Sequence, residues 1–448
     1  MSPAASSSAA SSSLAATVGR VAPWQFLHRG LTALLPLVLA TWFGRSAATD
    51  LYNLLAALFT LAGSLVFASF QDSALVPIVI DVQRREPGEL PRLAGALYTY
   101  TLLLASALAL LIGVGAWLWF RGRGPAAPLV VPMVIGFACY LPMLALRSLS
   151  AALLAARFRF LPDAFAGASG VVVTLSIIAL KLGPGAGLAL VPFALAAGEF
   201  VAVVWLLVAL RRVGVRLAPT LARPAPLLRF VRLVGAEIGG SVVVRVNPLV
   251  DQMMARALGI AGGGTMLRLS GDLASFPASL LGSTFLSVLL SHLAAAGADG
   301  RRVELMGTVT RSVRVVAVLF GITALGLFLV RTPLVGLVYG RGAMDAAALV
   351  RMAHLLPYHL LGLAPFGITL VLARAHVSIG NSRILVGMGA LNAAANLALN
   401  LAFVGSLGLE GIALATSVVS GVVALVFWLR LRARLRLPVP AAQQRRRA

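Results

Sequence analysis

Residues 29–81 read RGLTALLPLVLATWFGRSAATDLYNLLAALFTLAGSLVFASFQDSALVPIVID. Two apolar runs meet there at a short polar corner, residues 44–50, and the second run carries a carboxylate, Asp72, and ends at Pro77. Each run can supply the roughly 20 residues with which a helix crosses about 30 Å of hydrocarbon. Because the corner is so short, we expect the two helices to lie antiparallel as neighbours.

The composition of the whole chain defines its class. Of the 448 residues, 60% are hydrophobic and 11% are charged, and the mean hydropathy is +0.95. About a quarter of a soluble domain is charged, so too few polar residues remain here to cover a large soluble core. We therefore expect an all-α polytopic membrane protein. Its one cysteine, Cys139, lies in an apolar run and is incompatible with a disulfide framework or a cysteine-based metal site.

Polar breaks, glycines and prolines divide the chain into about twelve apolar spans. We predict a disordered Ser/Ala-rich tail over residues 1–24 and a basic tail over 435–448. Two six-helix bundles, 25–212 and 232–434, are joined by a basic linker over 213–231. The predicted spans are 31–49, 51–79, 92–120, 127–154, 160–181, 186–210, 232–258, 264–294, 307–330, 346–375, 383–404 and 408–430.

The basic residues are distributed unequally between the two sets of loops. The loop after the second span, the middle connection and the C-terminal tail are rich in arginine, whereas the opposite loops hold few basic residues. Basic loops mark the cytoplasmic side, so we expect both termini in the cytoplasm and the protein in a bacterial inner membrane. The same loops would attract anionic lipid headgroups. Nucleic-acid binding does not account for the net charge of +23, because the basic residues lie between spans instead of in a separate soluble domain.

The two halves of the chain resemble each other. Phe43-Gly44 at the end of the first span corresponds to Leu258-Gly259 at the end of the seventh, and the sixth span resembles the twelfth. With six spans in each half, the bundles would be related by a pseudo-two-fold axis along the membrane normal, as in many transporters. A central cavity between the bundles is then the expected active region.

Ionisable residues within spans are costly in hydrocarbon and normally face a bundle interior or a water-filled cavity. Arg147, Arg245 and Arg268 are candidate anion contacts, because a guanidinium binds phosphate oxygens with two hydrogen bonds. Arg268 and Asp272 are four residues apart and can pair on one helix face. For that pair a structural salt bridge and a substrate role are both open. The candidates for binding a coupling proton or sodium ion are Asp50, Asp72, Glu199 and Asp251.

For the other polar residues in the spans, we predict a role in helix packing and not in binding or catalysis. Asn392, Asn396 and Asn400 form a stripe along the eleventh span, for which hydrogen bonds to neighbouring helices are favoured over cavity lining. His354 and His359 are five residues apart without a nearby acidic or cysteine ligand, so no metal site is predicted. No nucleotide-binding, cofactor-binding or hydrolase motif occurs in the chain. We therefore expect no cofactor and no enzyme activity, and any transport would draw on an ion, voltage or substrate gradient.

Several motifs, in order, resemble the lipid II flippases of the MurJ (MviN) type. They are the FG-x-x-x-ATD corner at 43–50, SALVP at 73–77, VYGRGAMD at 338–345, Phe276-Pro277 and GLEGIALATS at 408–417, with Asp251 where that family often has Asp or Asn. The resemblance covers roughly residues 29–434. It implies the polysaccharide-exporter side of the multidrug/oligosaccharidyl-lipid/polysaccharide (MOP) flippase superfamily. Its members turn an undecaprenyl-pyrophosphate-linked sugar from the cytoplasmic to the periplasmic leaflet.

The sequence departs from that family at several cavity arginines. Arg29 falls on the first of them, but Leu35 and Pro36 replace the second arginine and its aspartate. Gly63-Ser64 replaces an arginine pair in the second span, and Asp272 stands where the eighth span usually has an arginine. A cavity changed in this way attracts pyrophosphate less strongly, so a lipid-linked saccharide other than lipid II, held by Arg147, Arg245 or Arg268, fits better.

Three functions remain open at the level of sequence. The first is a flippase for a lipid-linked oligosaccharide or peptidoglycan precursor, working by alternating access. The second is a cation-coupled exporter of small molecules with the same architecture, similar to the MATE transporters, since a shared fold does not settle function. The third is a non-transporting scaffold that recruits envelope-synthesis enzymes through its basic loops.

Overall fold

The computed structural model of the chain describes residues 3–63, 75–122, 124–181, 186–215, 217–231, 246–278, 302–379, 381 and 383–436. These residues are almost entirely helical, and no strand occurs among them, which confirms the predicted all-α class. Contacts within the chain divide it into two compact units, Met1–Gly239 and Gly240–Ala448. The predicted bundles, 25–212 and 232–434, fall almost completely into one unit each.

In the first unit, α5 packs against α4, α2 and α7, while α6 packs against α1 and α7. The helices of this unit are α1 (Pro3–Phe43), α2 (Ala47–Gly63), α3 (Val76–Arg85), α4 (Leu90–Phe120), α5 (Ala127–Ala155), α6 (Leu161–Lys181), α7 (Val191–Arg212) and α8 (225–231), with 3-10 turns at Pro87–Glu89 and Ala186–Leu190.

In the second unit, α16 packs against α15, α14, α13 and α9, and α11 packs against α14. The helices described there are α9 (Asn247–Ala257), α10 (263–278), α11 (Arg302–Leu329), α12 (Arg331–Tyr339), α13 (Ala346–Leu360), α14 (Leu363–Ser378), α15 (Arg383–Leu407) and α16 (Leu409–Arg436).

Within the described ranges, nine helical segments are long and apolar enough to cross a bilayer. They correspond to the first, third to sixth and ninth to twelfth predicted spans, whereas the second, seventh and eighth predicted spans lie partly outside the described residues. The nine segments are Pro23–Phe43, Pro87–Phe120, Ala127–Ala155, Leu161–Leu180, Gly187–Arg212, Leu305–Leu329, Ala346–Ser378, Arg383–Leu407 and Leu409–Leu435.

Large apolar side chains on the outer faces of these helices are consistent with a bilayer as solvent. Leu110 and Leu111 on α4 are 67% and 71% exposed, and many leucines, valines and phenylalanines on other helices are similarly uncovered. A water-soluble monomer rarely exposes so much contiguous apolar surface. The chain is therefore a multi-pass membrane protein.

The corner between the first two helices is sharper than predicted. The first span, predicted as 31–49, ends at Phe43, and α2 already begins at Ala47. Gly44 has a positive φ of 58°, the left-handed conformation that commonly ends a helix and that glycine adopts without a Cβ penalty. Gly259, its counterpart in the second half, has a φ of 68° and is likewise followed within a few residues by a helix. Both corners of the predicted repeat therefore have a glycine with a positive φ, although the second corner is longer.

Two further predicted spans differ in detail from the structure. The second apolar run was expected to end at Pro77, whereas helix α3 contains Pro77 and continues to Arg85. The predicted span 346–375 consists of two helices, α13 and α14, separated at Leu361 and Gly362. The break leaves the carbonyl oxygen of Tyr358 without its usual partner within the helix. The hydroxyl of Ser417 on α16 donates a hydrogen bond to this oxygen instead.

The amino-terminal segment also differs from its prediction. Residues 1–24 were expected to be disordered, whereas helix α1 begins at Pro3 and continues to Phe43. The segment before Gly19 is mostly alanine and serine, and alanine has the highest helix propensity of all residues. Its polar composition, from which disorder was inferred, therefore does not oppose helix formation.

The segment after α7, predicted as a linker, packs on the first unit. Val215 and Leu227 are buried in an apolar core with residues of α3, α4 and α5, and the Ala218 carbonyl lies so close to α4 that a methyl group on Gly95 would meet it. Several polar contacts attach the same segment. Among them are Thr220 N–H to Thr99 Oγ1 at 3.1 Å, Tyr100 O–H to the Leu221 carbonyl at 2.8 Å, and Arg229 Nη1 to Asp81 Oδ2 at 2.9 Å.

Candidate functional site

A buried ion pair joins α5 and α7 in the first unit. Nη1 of Arg147 lies 3.0 Å from Oε1 and 3.3 Å from Oε2 of Glu199. The two side chains are only 19% and 15% exposed. Such a pair is retained in an apolar bundle only when each charge compensates the other, because an isolated charge there is costly.

One histidine, His28, and one glycine, Gly167, also lie next to Arg147. A methyl group placed on Gly167 of α6 would lie 2.8 Å from Nη2 of Arg147 and 3.0 Å from Nδ1 of His28 on α1. The absence of a side chain at Gly167 therefore lets both groups approach the α6 backbone. Asp163, one turn earlier on α6, is close enough to interact electrostatically with Arg147 and Glu199.

Close packing of small residues holds Glu199 in place. A methyl group on Gly198 would lie 2.4 Å from the carbonyl oxygen of Gly170 and 2.2 Å from Oγ1 of Thr174. Thr174 also donates to the Ala194 carbonyl of α7 at 3.2 Å. Helices in membranes associate through such small-residue contacts and side-chain hydrogen bonds, and here the contact lies immediately beside the carboxylate.

A second polar cluster lies in the second unit around Asp251 of α9. Nδ2 of Asn400 on α15 donates to Oδ1 of Asp251 at 2.7 Å and to Oδ1 of Asn396 at 3.0 Å. The hydroxyl of Thr416 on α16 donates to Oδ2 of Asp251 at 3.4 Å. Asn396 and Asn400 are completely buried, at 1% and 0% exposure. Two of the three asparagines of the predicted stripe therefore hydrogen-bond across helices, as expected.

The Asp251 cluster has the chemistry of a small-cation site. Hard cations prefer carboxylate, amide and hydroxyl oxygens, and the cluster contains side chains of all three kinds. Asn400 turns its amide nitrogen toward Asp251. Its Oδ1 atom is buried and has no hydrogen-bond partner among the residues that the structure describes. In contrast, no group of three His, Cys, Asp or Glu side chains that could hold a transition metal occurs in the described part of the chain.

Apart from Asp50, the other predicted site residues are paired within their own helix, exposed, or outside the described part of the chain. Arg268 and Asp272 do pair on α10, with Nε 3.7 Å from Oδ2, but their side chains are 38% and 47% exposed. Arg29 is exposed on α1, where its neighbour His28 lies beside Arg147 instead. Asp72 and Arg245 lie outside the described residues.

Asp50 has a local role at the start of α2. It lies in the first turn of the helix, where a carboxylate interacts favourably with the helix dipole. The residues before it form a reciprocal cap: the Thr49 N–H donates to Oγ of Ser46 at 3.1 Å, and the Ser46 N–H donates to Oγ1 of Thr49 at 2.8 Å. Asp50 is 6% exposed. Asp50 therefore lies where a carboxylate favours helix initiation.

Sequence reasoning missed His28, Asp163, Thr416 and Glu410 as partners. Glu410 forms an ion pair with Arg351, Nη2 to Oε2 at 2.8 Å, between α13 and α16. His28, Asp163 and Glu410 lie near the ends of predicted spans, and Thr416 lies in an apolar stretch without a charged neighbour. The tertiary contact that makes them relevant joins helices far apart in the chain, and no spacing rule within one helix could reveal it.

The fold is similar to that of solved membrane transporters, among them one of the MOP superfamily. A structure of lipid II flippase MurJ in an inward closed conformation matches 92% of this chain and 87% of its own, with a TM-score of 0.76 at 16% identity. An inward-facing MATE family multidrug transporter of that superfamily matches 92% of this chain and 94% of its own, with a TM-score of 0.69 at 15% identity. Within this class, the family model for lipid II flippase MurJ matches residues 39–444, so the chain belongs to that family.

Two curated relatives share part of the sequence. A probable lipid II flippase MurJ of Rhizobium meliloti is 26% identical over 301 residues, which cover 65% of this chain and 55% of the relative. A probable lipid II flippase MurJ of Vibrio cholerae is 29% identical over 179 residues, which cover 40% of this chain and 34% of the relative. The matched region thus spans about half of the first relative and a third of the second. The family is one of transporters and not of enzymes.

Proposed function

We propose that this protein is a flippase for a lipid-linked oligosaccharide or peptidoglycan precursor of the undecaprenyl-pyrophosphate type. The observation that carries the proposal is membership of the lipid II flippase family over residues 39–444. The substrate would pass from the cytoplasmic to the periplasmic leaflet by alternating access, with the headgroup inside the protein and the lipid tail in the bilayer. The arginine-rich loops support a bacterial inner-membrane location with both termini in the cytoplasm.

Arg147 is the described residue best suited to hold the pyrophosphate. Its contacts with Glu199 use Nη1, and neither Nε nor Nη2 has a hydrogen-bond partner among the described residues. Glu199 would keep the guanidinium oriented, and the remaining N–H groups would donate to phosphate oxygens. Since Leu35, Pro36, Gly63 and Asp272 stand where relatives carry charged residues of the cavity, we propose a lipid-linked saccharide other than lipid II itself.

The test is depletion of the protein in its own host, followed by measurement of the undecaprenyl-linked intermediates on the cytoplasmic side. We expect one lipid-linked saccharide to accumulate, which would also identify the substrate. Complementation with the wild type must reverse the accumulation, and Arg147→Ala must not, although the variant protein reaches the membrane. Absence of any accumulated intermediate, in a strain without a second flippase of this family, would contradict the proposal.

We further propose that transport is coupled to a small cation bound at Asp251. The supporting observation is the polar cluster of Asp251, Asn396, Asn400 and Thr416, in which the buried Oδ1 of Asn400 has no hydrogen-bond partner among the described residues. A sodium ion or proton bound there would help to set the conformation of the second unit, and its gradient would supply the driving force. If depletion of the protein caused no accumulation of lipid-linked saccharide but abolished sodium- or proton-driven efflux of a small molecule, the exporter function would replace the flippase function.

A further inference from the structure

An apolar pocket lies between α1, α6 and α7 at one end of the first unit. Its volume is about 470 Å³, and three aromatic rings form its floor. Phe165 packs edge-on against Trp24 on one side and Trp205 on the other, with ring centroids 5.0 Å apart in both contacts. Trp24 and Trp205 are nevertheless 37% and 43% exposed, so the floor is open to the surroundings.

The position of the pocket along the helices places it at a membrane surface. The apolar spans of α1 and α6 begin at Pro23 and Leu161, and that of α7 ends at Arg212. The pocket is lined by residues next to all three of these ends. Tryptophan is enriched at this depth, because its ring combines an apolar body with an N–H group.

Two arginines give the mouth of the pocket a positive charge. Arg159 and Arg212 line it together with the aromatic residues, and both are exposed. No acidic residue of the described chain forms an ion pair with either of them, in contrast to Arg147 and Arg351, whose charges are compensated. An apolar floor below two uncompensated guanidinium groups is complementary to a lipid with an anionic headgroup.

The loop beside the pocket supports contact with lipid. Residues 157–160 read RFRF, and Phe158 is the single non-glycine residue of the described chain with a positive φ, 58°. Phe158 is the left-handed residue (C′) of a Schellman motif that ends α5. Its N–H donates to the Ala155 carbonyl, and the N–H of Arg159 donates to the Leu154 carbonyl. The same bonding pattern after α7 has Gly214 in this position. Phe158 therefore has a strained backbone conformation where glycine would have none, and its ring is 71% exposed.

We propose that this pocket binds an anionic phospholipid of the surrounding bilayer, with Arg159 and Arg212 at the phosphate and Trp24, Phe165 and Trp205 against the upper part of an acyl chain. The site belongs to the first unit alone and is separate from the transported substrate. It would hold one lipid more firmly than the general attraction of basic loops for a charged membrane.

The experiment uses the purified full-length chain in detergent, titrated with phosphatidylglycerol or with phosphatidylcholine, and counts retained lipids by native mass spectrometry. We expect phosphatidylglycerol to be retained at about a tenfold lower concentration than phosphatidylcholine. R159Q/R212Q should abolish the difference. R84Q/R121Q removes the same net charge from exposed positions of the same unit and should keep it. Trp205→Leu should weaken retention of both lipids.

Three results would overturn the proposal. They are equal retention of the two lipids by the wild type, an equal loss of preference in R84Q/R121Q, and displacement of phosphatidylglycerol by an equal concentration of undecaprenyl phosphate. The last result would assign the pocket to the polyprenyl substrate. If R159Q/R212Q failed to fold, the single variants R159Q and R212Q would each be expected to lose about threefold in preference, and an unchanged preference in both would equally contradict the site.

Discussion

Arg147 and Glu199 are 52 residues apart in the chain, yet Nη1 of the first lies 3.0 Å from Oε1 of the second between α5 and α7. The pair is enclosed to a degree that the interhelical pairs Arg351–Glu410 and Arg229–Asp81 do not reach, because Arg351 and Arg229 are 44% and 64% exposed and Arg147 only 19%. Arg147 is therefore bound to a counter-ion within its own unit. If Arg147 also holds the substrate, as we propose, stability and substrate binding share one contact.

Glu199→Gln should lower the stability of the protein in detergent by about 3 kcal/mol, because it leaves the Arg147 charge buried without compensation. R147Q/E199Q should recover most of that loss. The measurement is the midpoint of thermal unfolding. As a control, Glu89→Gln breaks the exposed pair with Arg92 and should cost less than about 1 kcal/mol.

The same variants separate the two roles of Arg147. If R147Q/E199Q is stable but fails to relieve accumulation of the lipid-linked intermediate, the guanidinium is needed for the substrate as well as for the fold. A stable and active double variant would show that the pair is a structural salt bridge.

Sodium should stabilise the protein through the Asp251 cluster. At a concentration ten times its Kd, a cation that binds the folded state alone contributes about 1.4 kcal/mol. The unfolding midpoint should thus be higher in sodium chloride than in choline chloride of equal ionic strength. Asp251→Asn should remove the difference, whereas Glu410→Gln should keep it. An identical midpoint for the wild type in both salts, together with a midpoint that changes with pH only when Asp251 is present, would assign the site to a proton instead.

Gly198→Ala should destabilise the first unit by about 1–3 kcal/mol, because the added methyl group would overlap the Gly170 carbonyl and force α6 and α7 apart. It should also reduce transport, since Glu199 is the next residue on α7. Gly115→Ala on α4 is the matched control: no atom lies within 4 Å of the added methyl group, so helix propensity alone should make it neutral or slightly stabilising. Thermal unfolding of both variants tests the prediction, and equal effects would refute it.

Phe158→Gly should raise stability in detergent by about 1 kcal/mol, because glycine adopts the positive φ at that position without strain. Gly214→Ala, at a φ of 78° after α7, should lower stability by a similar amount for the converse reason. If the exposed ring contributes to lipid retention, Phe158→Gly will retain less phosphatidylglycerol although it is more stable. A loss of stability in Phe158→Gly would show that the ring has a packing role within the protein.

The helical class and the order of the spans could be predicted because both depend on local composition. A run of about 20 apolar residues bounded by arginine, glycine or proline forms a membrane helix in almost any tertiary context. Where the prediction was wrong, the decision depended on single residues. A helix can continue past a proline, as it does from Pro77 to Arg85, and an apolar run can contain a break, as at Gly362.

The candidate site was only partly predictable for a different physical reason. Arg147, Glu199 and Asp251 could be singled out because a charge in an apolar span is rare and costly. Their partners could not be assigned, since Arg147 and Glu199 are on different helices and the Asp251 cluster draws on three. Asn400 was interpreted correctly as a packing residue, but its bond to Asp251 gives it a position in a candidate ion site as well.

The attachment of residues 217–231 to α3 and α4 has a practical consequence for dividing the protein into expressible halves. A fragment that stopped at residue 212 would lose Val215 and Leu227 from its core and would uncover the apolar surface beneath them. It would also leave Asp81 without Arg229, although Arg85 would still lie 2.8 Å from the same carboxylate. An amino-terminal half intended for co-expression with its partner should therefore extend beyond residue 231, and a protease site introduced between residues 213 and 231 should be cleaved slowly in the folded protein.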